Sequence, residues 1–366
     1  MRRITELGAA ALLGASAVAL LCGASGTARR ALGRGDEAGL GGRKGGRSTA
    51  PDEGPESRGR DATRPSDIPA RGWKDILVRT FKEFGDDQIP LIAAGCTFYT
   101  LLALFPGITA FVALYGLFAD VGEAQRHVAE LRGLLPEGAV TLIGEQMTRV
   151  AAAGDSQLSL ALVFGLGVAL WSANKSMKAI ITGLNIAYEE TETRGLVRKT
   201  LTPLAFTAGL VVFAALAIGI GGLAAVAAER LGSVLGLAVM AVYWLGLFAG
   251  VVGVMALLYR FGPSRSLARW RWISWGSGLA ATAWVAMSAG FTAYVANFGS
   301  YDETYGALGA VIGFMTWTWL SSMVFLMGAE LNSEIEHQTA RDTTTGAPLP
   351  LGRRGAVMAD TVGAPV

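Results

Sequence analysis

Cysteine and histidine are nearly missing from this chain: it has only Cys22, Cys96, His127 and His337. Both cysteines lie in apolar stretches, which excludes a disulfide framework and a thiolate metal site. The histidines fall in different polar segments. Hydrolytic metal centres need several converging His or carboxylate ligands, and no such cluster is present. HExxH, glycine-rich phosphate loops, GxSxG elbows and CxxC pairs are also missing. The chain therefore reads as no enzyme, with no metal and no cofactor. Charge is scarce as well, at 16% of residues, where a soluble domain carries about 25%. A net charge of +2 is too small for a nucleic-acid footprint.

The shortage of charge is concentrated in six stretches without Lys, Arg, Asp or Glu: 88–119, 156–174, 200–228, 231–259, 272–301 and 304–329. A helix needs roughly 20 apolar residues to cross a bilayer core. Only helices can satisfy their backbone polar groups alone in lipid. The expected fold is all-α: a polytopic membrane protein with a six-helix transmembrane core. A seventh uncharged stretch, 7–28, is flanked by Arg2, Arg3, Arg29 and Arg30. It reads as an N-terminal hydrophobic anchor, with a cleaved signal peptide as the alternative.

The organisation follows from composition: 1–28 anchor or signal-like helix, 29–72 linker, 73–337 membrane domain, 338–366 tail. The linker is rich in Gly and Arg, holds four prolines and has no aromatic residue. Such a segment is expected to be disordered, and so is the Thr-, Gly- and Pro-containing tail. Trp73, Ile76, Leu77, Phe81 and Phe84 recur at helical spacing, with Lys74, Arg79 and Lys82 pointing elsewhere. That pattern predicts a helix in the membrane interface or packed on the protein. Two apolar stripes in 120–155, separated by Pro136 and Gly138, predict two external amphipathic helices.

Basic residues set the expected topology. Segments 189–199 and 260–271 carry Arg194, Arg198, Lys199, Arg260, Arg265, Arg269 and Arg271, while the alternate loops carry Arg230 alone. Both ends of the six-span core are then cytoplasmic, and 120–155 is outside.

Ala93 to Pro106 reads AAGCTFYTLLALFP, and Trp171 to Tyr188 reads WSANKSMKAIITGLNIAY. Arg260, Phe261 and Pro263 open the basic loop, Phe291, Tyr294 and Tyr301 follow, and YGALGAVIGFMTW from Tyr305 precedes GAELNSEIE from Gly328. In order and spacing the chain resembles the YihY/BrkB family of bacterial inner-membrane proteins, formerly labelled ribonuclease BN. The resemblance covers roughly residues 73–337 and implies a six-helix inner-membrane fold. Ala103 stands where that family usually has Ser, and Trp275, Gly276 and Ser277 where it has Pro-Gly-Ala, so no site is carried over at either place.

Four residues are candidates for a substrate or lipid-headgroup site. Lys175 and Lys178 lie one turn apart on the second span, with Asn185 beyond them, and Glu330 lies at the inner end of the sixth. An ionisable residue inside a span is costly; the alternative is an interface anchor whose head reaches water. Glu330 is expected either to pair with Lys175, Lys178 or Arg260 or to face water. Pro106 is expected to kink the first span. Tyr294, Phe298, Tyr301 and Tyr305 are expected to form an aromatic belt, and Gly276, Gly278, Gly306, Gly309 and Gly313 to let helices approach. The expected partners are the bilayer and anionic lipids, without nucleic acid. Transport or lipid handling at the cell inner membrane is the leading function class; an envelope assembly protein is the alternative.

Overall fold

The computed structural model describes residues 58–116, 155–297 and 307–366. The hydrophobic stretch 7–28, the linker up to 57, the predicted external helices of 120–154, and Phe298, Tyr301, Tyr305 and Gly306 lie outside the described residues. The described chain is helical: α1 Ala70–Asp86, α2 Ile89–Gly116, α3 Asp155–Ala187, α4 Leu196–Leu231, α5 Ser233–Phe261, α6 Trp270–Asn297, α7 Ala307–His337 and the short α8 Val357–Asp360. A 3-10 turn, Pro65–Asp67, precedes them.

Over the described residues, each of the six uncharged stretches falls essentially within one of α2 to α7. By length and hydropathy, α4, α5, α6 and α7 qualify as membrane spans, and a fifth is gained if α1 and α2, bent by 59° at their junction, cross together. The described residues thus form a helical membrane protein. Helix α2 runs on through Pro106 to Gly116. A separate bend lies between α1 and α2 at Asp87–Gln88, where Gln88 adopts φ +52°.

Helix α7 is the hub, touching α1, α2, α3, α6 and α8. Its contact with α6 is close because two positions lack a side chain. A Cβ on Gly276 would collide with Asn332, and one on Gly328 would come within 2.5 Å of Ala280 Cβ and Tyr259 OH. Gly278 and Gly313, by contrast, face open space and do not serve helix approach. Around this seam lie Leu184, Tyr188, Tyr259, Ile273, Ala281, Leu326 and Ala329, all buried. The α4–α5 hairpin turns on Gly232, whose φ of +80° suits glycine. It lies against α3 and α6 at the periphery.

Helix α1 packs on α7 through a different face from the predicted one. Gly72, Asp75, Ile76, Arg79 and Thr80 are its buried stripe, while Leu77, Val78 and Phe81 are exposed. Arg79, expected to point away, is turned inward. Trp73 packs on Trp275, ring centroids 5.8 Å apart.

The described part of the linker, 58–72, and the tail, both expected to be disordered, are ordered. Residues 58–72 bury Ala62, Pro65 and Ile68 beside Ile76, Trp272, Leu331 and Ile335, and Arg58 grips Asp75 at 2.8 Å. The tail 338–366 folds back over the same end of the bundle. Arg354, almost buried, donates to the carbonyls of Ala340, Arg341, Leu349 and Ala359, and Ala356, Met358 and Ala359 are buried. Residues 267–269 and 343–345 bridge in antiparallel fashion. The composition argument weighed apolar area alone. Here order comes from hydrogen bonds between the tail and buried polar groups of the helices, each worth about 0.5–1.5 kcal/mol, and more where a charge takes part.

Candidate functional site

The end of the bundle where α1, the 188–195 and 262–269 turns, and the tail meet, the tail end, gathers most of the buried charge. Two ion pairs organise it. Arg79 Nε donates to Glu334 Oε2 at 2.5 Å, and its terminal nitrogens reach Gln338 Oε1 at 2.7 Å and the Ala364 carbonyl at 3.0 Å. Arg265 donates to Glu336 Oε2 at 2.6 Å, with side chains 2% and 0% exposed. Thr343 Oγ1 donates to the same oxygen, and the guanidinium lies over the Tyr188 ring at 4.8 Å. Burial alone would lower the Arg265 pKa, but the Glu336 carboxylate and Tyr188 outweigh it and hold it above its usual value. Asn332 Oδ1 accepts from the Gly276 N–H at 2.9 Å, which explains why no side chain fits at 276.

The turns are tied in as well. Glu192 is clamped by Arg194, whose guanidinium donates to it at 2.7 and 2.8 Å; that hydrogen bonding brings its pKa down to about 2. Glu190, raised above its usual value by burial, accepts from the Val357 N–H of the tail. Near the start of α1, Arg58, Arg71, Lys74, Asp75 and Val366 line a cleft of about 360 Å³.

The four candidate residues do not converge. Asn185 is a staple between turns: its Oδ1 accepts from the Ser264 N–H at 2.8 Å and its Nδ2 donates to Glu192 at 3.3 Å. Lys175 holds its ammonium 5.4 Å from the Trp171 ring centroid. Gly183 of α3 is level with Leu326 of α7. At 1.5 Å per residue, Lys178 lies about 7.5 Å to one side of that level and Glu330 about 6 Å to the other. Glu330 instead meets acids: its carboxyl lies within hydrogen-bonding reach of the Asp87 carboxyl, with Glu334 and Glu83 nearby. Arg260 stacks over Trp270 at 4.4 Å. Among the described residues, no ion pair joins Glu330 to Lys175, Lys178 or Arg260.

Sequence reasoning missed Asp87, Arg79, Arg265, Glu334 and Glu336. A signal existed for one: Arg79 falls at i+7 from Gly72 and i+3 from Ile76, on the stripe that packs. Among the described residues, no group of three His, Cys, Asp or Glu is placed to hold a metal ion.

Long apolar helices around an ionised, buried end define the class, a polytopic helical membrane protein. Within that class, the family model for the virulence factor BrkB matches residues 80–349, and the chain belongs to that family. It is 30% identical over 247 residues to the ribonuclease-like protein YfkH of Bacillus subtilis, covering 66% of this chain and 88% of that one. A UPF0761 membrane protein of Ralstonia nicotianae is 27% identical over 298 residues, 78% of this chain and 62% of that protein. Another from Neisseria meningitidis serogroup B is 30% identical over 292 residues, 74% and 64% respectively. The chain thus spans less than two thirds of the two UPF0761 proteins. No solved structure matches this chain.

Proposed function

We propose that this is an inner-membrane protein that transports a solute or handles lipid, with its tail end in the cytoplasm and its working groups there. The basic residues of the 189–199 and 260–271 turns support that orientation. The observation that carries the functional reading is Glu330. It is 1% exposed, sits on a spanning helix and faces other acids rather than a cation. Such a residue costs stability and marks solute or ion pathways in membrane bundles. In the same reading, the cleft of Arg58, Arg71 and Lys74, beside the exposed Leu77 and Phe81 of α1, receives an anionic lipid headgroup.

The assembly alternative is supported by the close packing of the tail end, where the tail covers the helix ends. Enzymatic activity is not part of the proposal. The name of the Bacillus relative is ribonuclease-like, but here Glu334 and Glu336 are taken by Arg79 and Arg265 and buried away from any phosphodiester. Lipid profiling and solute uptake in a deletion strain test the reading. Wild-type protein should restore a changed profile, and Glu330→Gln and Lys74→Ala should restore it less well than Ile218→Ala on the exposed face of α4. An unchanged profile with defective envelope integrity would favour the assembly role.

A further inference from the structure

The junction of α1 and α2 carries chemistry that the packing does not require. At the 59° bend, the Asp87 carboxyl meets the Glu330 carboxyl of α7 within hydrogen-bonding reach. Glu330 is 1% exposed, and its Oε1 has no N–H or O–H donor among the described residues. The titratable and charged groups around the pair are Glu83 and Asp86 on α1, Glu189 and Tyr188 at the end of α3, and Glu334 on α7. Arg79 is engaged with Glu334 and Gln338, Arg265 with Glu336, and Lys82 of α1 with Glu83 and Asp86. Among the described residues, Asp87 and Glu330 belong to no ion pair.

Two ionised carboxylates have no hydrogen to share and repel each other. In a buried site with no cation beside it, both cannot remain charged. We propose that Asp87 and Glu330 hold one proton between them, and that this pair binds and releases the coupling proton of the transport reading. Uptake of one proton takes the pair from two negative charges to one and closes the hydrogen bond between the α1–α2 bend and α7. Release to water at the tail end restores both charges and drives the bend away from α7. Glu330 is the buried holder, and Asp87, half-buried at the bend, is the side open to exchange. The ligand is thus a proton, and the moving element is the bend at Gln88.

The inference rests on the transport reading, but infrared spectroscopy of the purified protein in lipid tests it without any substrate. At neutral pH the wild type should show a protonated-carboxyl C=O band that shifts in D2O. Glu330→Gln should abolish it, Asp87→Asn should shift it by changing the partner of the retained Glu330, and Glu83→Gln should leave it in place. A cysteine at Gln88, with Cys22 and Cys96 replaced, reports the movement. Between pH 6 and pH 9 its maleimide labelling rate, taken relative to the same cysteine in the Glu330→Gln background, should rise several-fold. No band in the wild type, a band untouched by Glu330→Gln, or a flat labelling ratio would overturn the proposal. A band that behaves as expected in a protein that moves no solute or lipid would keep the shared proton and refute the transport reading.

Discussion

The tail end and the α4–α5 hairpin are held by opposite physics. In the most apolar stretch of α4 and of α5 no residue is fully buried by the protein, whereas 28% of the corresponding stretch of α7 is. The hairpin's surface is Leu, Val, Ile and Ala turned outward, and lipid is its solvent. At the tail end, Arg79, Arg265, Glu330, Glu334 and Glu336 are buried and depend on each other. Apolar contacts with lipid tolerate exchange of one side chain for another. A buried charge tolerates only its partner.

The largest effect should follow from breaking the tightest pair. Arg265→Ala leaves Glu336 buried without its cation, and a loss of about 3–5 kcal/mol is expected. It should appear as a large drop in thermal unfolding temperature in detergent or lipid nanodiscs. If Arg265→Ala were as stable as wild type, the tail end would be held by packing alone, and the contrast with the hairpin would vanish.

A smaller effect concerns pH. The Glu192 pKa lies below its unfolded value of 4.5, at about 2, because Arg194 hydrogen-bonds the carboxylate. Its stabilising contribution is therefore complete above pH 4.5 and disappears as pH falls toward 2. For a pair at the protein surface, about 1 kcal/mol is expected. Arg194→Gln should flatten the acid limb of the stability curve by that amount and leave neutral stability less affected than Arg265→Ala does.

The smallest effect belongs to the hairpin. Ile218 and Leu223 on α4 are 77% and 73% exposed. Ile218→Ala and Leu223→Ala should each change stability by no more than about 0.5 kcal/mol, the range of substitutions away from packed features. A loss of 2 kcal/mol or more would show that this face is covered by protein, for instance by a second copy.

The contrast also explains what could be read from the chain. Helices α2 to α7 were legible because lipid imposes a single demand, long uncharged runs, and that demand is written residue by residue. The order of 58–72 and 338–366 was not. It depends on contacts between residues nearly 300 positions apart, such as Gln338 Nε2 with the Arg58 carbonyl, and composition carries no trace of those. Glu330 was legible as an unusual residue, but its partner was not. Three cations at comparable sequence positions looked available, while the acid it meets, Asp87, lies at a bend marked only by a left-handed Gln88. Asn185 was singled out for its polarity and turns out to serve the turns.

The most direct test sets the two regions against each other in one strain. Glu330→Gln keeps the shape of the side chain and removes its charge, while Ile218→Ala removes volume from the lipid face. Both should insert and accumulate like wild type. In a deletion strain, Ile218→Ala should restore the lipid or solute profile fully and Glu330→Gln should not restore it. Full restoration by Glu330→Gln at equal abundance would contradict a working site at the tail end.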